Sequence, residues 1–172
     1  MCKISAILFW QIWGFDMYIK RVNPYNQNHL LFLYETRFNK DVTKTLLESE
    51  KPTFEKHVEY VKKKDASGHL FFICYKEDVP IGYCQCFSLG SDVWELGWVI
   101  HPEYQNLGYG KLSVQLLLLE VFAMGGSAAE LVVLKANYKA FAIYVRFGFQ
   151  VIEESKDSYR MRLKPIINSG IS

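Results

Sequence analysis

The segment Glu95-Leu-Gly-Trp-Val-Ile-His-Pro-Glu-Tyr-Gln-Asn-Leu-Gly-Tyr-Gly-Lys111 reads as a strand, a proline turn, a glycine-containing loop and the first turn of a helix. Within it Gln105, Gly108 and Gly110 form a Q-x-x-G-x-G pattern. Glycines at these positions let the backbone approach a ligand with no Cβ in the way, and they tolerate φ > 0. The unpaired N–H groups of the following helix then converge on one spot with the positive end of the helix dipole behind them. That arrangement suits a phosphate or pyrophosphate. Lys111 stands at the rim, where phosphate contact and plain solvation are both open. The pattern is not a P-loop, because GxxxxGK[ST] is absent. Nor is it the dinucleotide fingerprint, which needs a third glycine where this chain has Ser113.

Gly97 interrupts the apolar strand that leads into this loop. A strand glycine marks a kink, a bulge or the close passage of another chain or ligand. A kink fitting Trp94 and Trp98 into the core is one reading. With the glycine loop eleven residues later, a ligand passing the strand is the better one.

Upstream, His69–Tyr75, Ile81–Leu89 and Val93–Ile100 are strand-like runs separated by Glu77-Asp-Val-Pro80 and Gly90-Ser-Asp92, an antiparallel meander. Before them come a first strand at Met17–Val22 and a helix from about His29 capped by Asn28. A short helix after Asp41 (Val42, Thr45, Leu46) ends near Glu48–Pro52. Thr53 then caps a helix with Glu55 in its first turn. Phe54, His57, Val58 and Val61 share one face of it, and Lys62–Lys64 form a solvated end. Downstream, a helix at Gly108–Met124 closes on Gly125-Gly126. Strand Glu130–Lys135, helix Tyr138–Phe147 stopped by Gly148, and strands Phe149–Glu154 and Ser158–Leu163 follow. The order predicts a mixed α/β sheet.

The chain has 172 residues, enough for one self-sufficient core. Half the residues are hydrophobic and 22% charged, which excludes disorder and coiled coil. Net charge is only +2, against a dedicated nucleic-acid binder. Cys2, Cys74, Cys84 and Cys86 include no CxxC, which suggests reduced thiols in a cytoplasmic protein. His29, His57, His69 and His101 lack metal-ligand spacing, so no metal is expected. The apolar run Ile4–Phe15 behind Lys3 resembles the start of a signal peptide. It is too short to span a membrane and no cleavage signature follows, so no stable membrane association is expected. Residues 1–16 read as an upstream extension with Met17 as a candidate start. Residues 17–163 read as the domain and 164–172 as a tail.

Two motifs, Val99-Ile-His-Pro-Glu-Tyr-Gln-Asn-Leu-Gly-Tyr-Gly110 and Asn137-Tyr-Lys-Ala-Phe-Ala-Ile-Tyr-Val-Arg-Phe-Gly-Phe149, stand in order, separated by a helix and a strand. On these the chain resembles the GNAT superfamily of N-acetyltransferases from Met17 to Leu163. Tyr138 replaces the family's small residue after the Asn, and Arg146-Phe147 replaces its Lys-Leu or Lys-Met. The resemblance implies a mostly antiparallel sheet of about six to seven strands flanked by about four helices, with the central strands splayed apart. It implies acetyl-CoA as cosubstrate. The pyrophosphate would lie on Gln105, Asn106, Leu107, Gly108, Tyr109, Gly110 and Lys111. The pantetheine arm would lie in the gap beside Val99 and Ile100 and touch Asn137. A backbone N–H near Val99 would stabilise the developing oxyanion.

Tyr144 would sit beside the sulfur. A phenol can donate a proton or hydrogen bond to the departing thiolate, whereas the plain alternative packs Tyr144 with Phe141, Val145 and Phe147. Glu95 would take the ammonium proton, directly or through water; its alternative is a surface glutamate, and Asp92, His57 and a water relay remain candidates. The resemblance makes Cys84 and Cys86 unnecessary as nucleophiles, since transfer is direct in a ternary complex. The acceptor is expected to be a small amine, such as an amino sugar or aminoglycoside-like molecule. A protein N-terminus is the runner-up, and a non-catalytic acetyl-CoA-binding module is the reading from another class. A homodimer stays open.

Overall fold

The structure, a computed structural model, describes residues 17–44 and 50–165. The order is β1 (Met17–Arg21), α1 (Gln27–Arg37), the single turn α2 (Lys40–Thr43), α3 (Phe54–Ala66), β2 (Leu70–Lys76), β3 (Val79–Gly90) and β4 (Val93–Ile100). A 3-10 turn (Pro102–Tyr104), α4 (Tyr109–Ala123), β5 (Ala128–Leu134), α5 (Tyr138–Arg146), β6 (Gln150–Glu154) and β7 (Ser158–Leu163) complete it. The expected extension at residues 1–16, Cys2, the Thr45-Leu46 turn and most of the tail lie outside the described residues.

Local chemistry sets the helix starts. The Asn26 side chain accepts from the N–H groups of Asn28 (2.9 Å) and His29 (3.2 Å), so Asn26 caps α1 where Asn28 was expected. One residue of this type before the first turn satisfies two donors that Asn28, already inside the helix, cannot reach. Asn39 caps α2 by accepting from Asp41 N–H, and Thr53 caps α3 as expected.

The seven strands form one sheet in the order β1-β2-β3-β4-β5-β7-β6. All neighbours are antiparallel except β4 and β5, which α4 joins as a parallel crossover. Strand alternation buries both faces. On one, Val114, Leu117 and Val121 of α4 pack with Ile81, Cys84, Leu131 and Met161. On the other, Leu30 and Leu33 of α1 and Val61 of α3 pack with Phe71, Ile73, Tyr83 and Val99. Burying each such aliphatic side chain is worth roughly 1.5–3 kcal/mol, so the two layers hold the sheet rigid under any site at its centre.

The decisive feature is at the parallel pair. β4 and β5 match only at Val93–Ala128, Trp94–Ala129 and Glu95–Glu130, and then diverge. Two carboxylates face each other at this fork, and like charges directly opposite are destabilising. Arg160 of β7 relieves the repulsion by donating to both, at 2.9 Å to Glu95 and 3.1 Å to Glu130. No helix among the described residues is long and apolar enough to cross a membrane.

Candidate active site

Past the fork, a cleft of about 480 Å³ opens between Leu96–Ile100 of β4 and Leu131–Leu134 of β5. Main-chain groups there are not paired across the gap, so an extended ligand can bond them as an added strand does. His101 N–H bonds the Ile81 carbonyl (2.9 Å), and the Val99 carbonyl lies against Gly82 of β3. By the alternation of an antiparallel ladder, Val99 thus turns its main-chain groups toward β3. The neighbouring amides of Trp98 and Ile100 turn to the gap.

One end of the cleft is the glycine loop. Asn106 (φ 61) and Gly108 (φ 87) both adopt the left-handed region, and Gly108 is the N-cap of α4. A Cβ on Gly108 or Gly110 would meet nothing within 4 Å, so open space lies over the N-terminus of the helix. The Gln105 side chain donates to the Ile100 carbonyl (2.9 Å) and ties the loop to the end of β4. Lys139 of α5 donates to the Asn106 side chain (3.4 Å), adding a cation beside the loop. Gln105, Asn106 and Gly110 line the cleft; Leu107 and Lys111 are exposed and Tyr109 packs against the core.

The other wall is α5. Asn137 caps it, its side chain accepting from Ala140 N–H (3.2 Å), and also lines the cleft. Two turns further, Tyr144 is 7% exposed and stands edge-on to Trp98 with ring centroids 5.0 Å apart. Burial pushes its phenol well above the usual tyrosine range, so it stays protonated and able to donate. It belongs to the core and lines the cleft at once.

The candidate proton acceptors fall in different places. Glu95 sits at the fork on the same face of β4 as Gly97, its carboxylate held by Arg160. Asp92 lies in the β3–β4 turn, about 23 Å of strand from Val99. His57 is buried among Tyr34, Phe38 and Tyr60, in a separate cavity. Burial and nearby Arg37 lower its pKa to about 4. Cys74, Cys84 and Cys86 are free and buried. Burial and the neighbouring Cys74 thiol push Cys84 up, and burial takes Cys86 to about 12.

Other lining residues escaped the sequence reading. Gln85 lies across Gly97, where an added Cβ would come within 3.2 Å of its side-chain nitrogen. A lone amide in the apolar run Ile81–Phe87 was the available signal. Tyr83 is buried at the cleft and accepts from Arg37 of α1 at 3.4 Å. Burial raises its pKa against the opposing pull of Arg37.

The family model for the acetyltransferase (GNAT) family matches residues 36–149, which include the glycine loop, the splayed strands and Tyr144. The chain belongs to the GNAT family. It is accordingly an N-acetyltransferase, and acetyl-CoA is its acetyl donor. The acetyltransferase PseH of Campylobacter jejuni is 22% identical over 152 residues, covering 85% of this chain and 92% of PseH. Its crystal structure superposes with a TM-score of 0.68 at 20% identity, covering 87% of this chain and 98% of that one. Spermidine N-acetyltransferase from Vibrio cholerae, solved with CoA and spermine, gives a TM-score of 0.76 at 19% identity over 87% of this chain and 95% of that one. These structural likenesses share the GNAT fold.

Proposed function

We propose that this GNAT enzyme acetylates the primary amine of a small molecule, an amino sugar or aminoglycoside-like compound, by direct transfer in a ternary complex. The observation that carries the reading is the fork at Glu95–Glu130, which opens a cleft running from the Gly108 loop to Tyr144. The likeness to PseH over nearly the full length of both chains supports it.

The residues present suit acetyl-CoA. Left-handed Asn106 and Gly108 and the N-terminus of α4 turn N–H groups toward open space, a setting for pyrophosphate. The gap-facing main chain of β4 and the Asn137 side chain suit the amides of a pantetheine arm. When bound, the thioester supplies an activated acyl group; the protein supplies position, a fixed donor and proton transfer. An amide of the Trp98–Ile100 stretch serves as the fixed donor to the carbonyl oxygen. The Tyr144 hydroxyl, kept protonated by burial, donates toward the sulfur. Glu95, at the fork outside the cleft's lining and steadied by Arg160, receives the ammonium proton through water. The buried thiols play no part, and their reduced state suits a cytoplasmic enzyme.

The test is thiol release from acetyl-CoA against a panel of amino sugars, aminoglycosides, polyamines and peptide N-termini. Turnover of sugar amines at the highest kcat/KM is expected. Turnover confined to peptide N-termini would replace the small-molecule reading.

A further inference from the structure

Successive residues of β4 serve opposite faces of the sheet. Trp98 turns to the α5 side, where Tyr144 meets its ring edge-on. Gly97 turns to the side covered by α1 and α3, the face that also carries Glu95, Tyr83 and Val99. Opposite Gly97 stands Gln85 of β3, which lines the cleft. Its amide lies over the glycine: a Cβ there would come within 3.2 Å of Nε2 and 3.4 Å of Cγ. Gly97 thus lets a side-chain amide rest on β4 just past the fork, where a larger residue would displace it. The amide oxygen is held from the other side. His69 is buried, stacks on Phe71 and Phe87 with ring centroids 4.6 Å from each, and hydrogen-bonds the Gln85 side chain. That bond favours the protonated ring, so the imidazole gives the hydrogen and the amide oxygen receives it. Nε2 is left over Gly97, with no acceptor bonded to it among the described residues. The other side-chain amides of the cleft have different stations. Gln105 donates to the Ile100 carbonyl, Asn106 accepts from Lys139 and Asn137 caps α5.

We propose that Gln85 is an acceptor-binding residue whose Nε2 donates to an oxygen, hydroxyl or carbonyl, carried on the carbon next to the amine that is acetylated. The proposal rests on the small-amine reading and adds a selection rule to it. An amine with such an oxygen on the neighbouring carbon is preferred to one flanked by hydrocarbon alone. A site built around a hydrogen-bond donor rejects the analogue that leaves the donor unpaired, and does so more sharply than an apolar pocket rejects a missing methylene. Tyr144 and Gln85 then bracket the gap from opposite faces at adjacent residues of β4. One attends the departing sulfur; the other attends the incoming amine, on the face where Glu95 stands.

The experiment compares trans-2-aminocyclohexanol with cyclohexylamine, which differ in that one hydroxyl, by kcat/KM for thiol release from acetyl-CoA with the full chain. The wild type is expected to favour the amino alcohol by about tenfold or more. Gln85→Met matches the length and has no N–H. Gln85→Glu keeps an oxygen for His69 and loses the donor. Both variants should lose most of the preference while CoA affinity, read by calorimetry, is unchanged. A purely structural Gln85 would lower Tm and slow both amines alike, leaving the ratio as it was. No preference in the wild type, or a preference kept in both variants, overturns the proposal. Peptide N-termini, assayed in parallel, separate it from the small-amine reading. If the wild type acetylates only peptides, the small-amine reading falls and Gln85 is judged on the peptide, whose first carbonyl is the neighbouring oxygen. A peptide KM raised about tenfold in both variants, at unchanged acetyl-CoA KM, then sustains the proposal, and an unchanged peptide KM overturns it. Thiol release with none of these acceptors overturns both.

Discussion

Replacing Gly108 with alanine separates backbone strain from ligand contact, because the fold supplies its own control. Gly108 has φ 87 and Gly125 has φ 89, and at neither would a Cβ meet an atom within 4 Å. Both substitutions therefore impose the same left-handed strain, about 1–2 kcal/mol, with no steric clash inside the protein. In a domain of this size that loss lowers Tm by roughly 2–8 °C in each variant. The two positions differ in what lies outside. Gly108 caps α4 at the mouth of the cleft, whereas Gly125 ends the same helix at its far terminus. On the proposed placement, a methyl at Gly108 stands in the path of the pyrophosphate, and losing one close charge-assisted contact of about 1.4 kcal/mol weakens CoA about tenfold. Melting curves and calorimetric titration with CoA give both quantities on the same samples. Equal CoA affinity in Gly108→Ala and Gly125→Ala, with equal loss of Tm, would refute the placement of the pyrophosphate.

Two further outcomes follow from titratable groups. His57 and His69 are buried, with pKa lowered to about 4 by burial and by nearby cations, below the unfolded value of about 6.5. Both contribute stability that is complete above pH 6.5 and lost as pH falls toward 4, on the order of 1–2 kcal/mol each after solvent screening. Urea midpoints measured from pH 7.5 to 4 should fall across that window, and a flat profile would contradict the burial argument. For Glu95, Arg160 and Arg162 face three carboxylates, Glu95, Glu130 and Glu153, so Glu95→Gln leaves two charges of each sign and a folded protein. Its kcat/KM should fall about 10²–10⁴-fold at neutral pH if Glu95 receives the proton. An unchanged pH–rate profile would move that role elsewhere.

Much of the fold and of the glycine loop's geometry was readable because the causes are local. Gly108 must be left-handed to cap α4, Asn137 caps α5, and Gly148 (φ 90) ends it; each is written in a few consecutive residues. Strand-like runs broken by turn residues likewise foretold the meander, and the splay came with the family resemblance. What stayed hidden joins distant residues. Arg37 and Tyr83 are 46 positions apart, and Arg160 and Glu95 are 65. Those pairs exist only once α1 lies on β3 and β7 lies beside β5, and no local spacing encodes them. Asn26 and Asn28 show a limit of another kind: both are good caps by composition, and the backbone path after Pro24 decides between them.

The most direct test is Tyr144→Phe. The ring remains, and so do its edge contact with Trp98 and its place in the core; only the hydroxyl is lost. If that hydroxyl serves the departing thiolate, kcat for thiol release from acetyl-CoA should fall about 10²-fold, with coenzyme affinity nearly unchanged. A Tyr144→Phe enzyme that matches the wild type in kcat across pH would show that Tyr144 is core alone and that another group attends the sulfur.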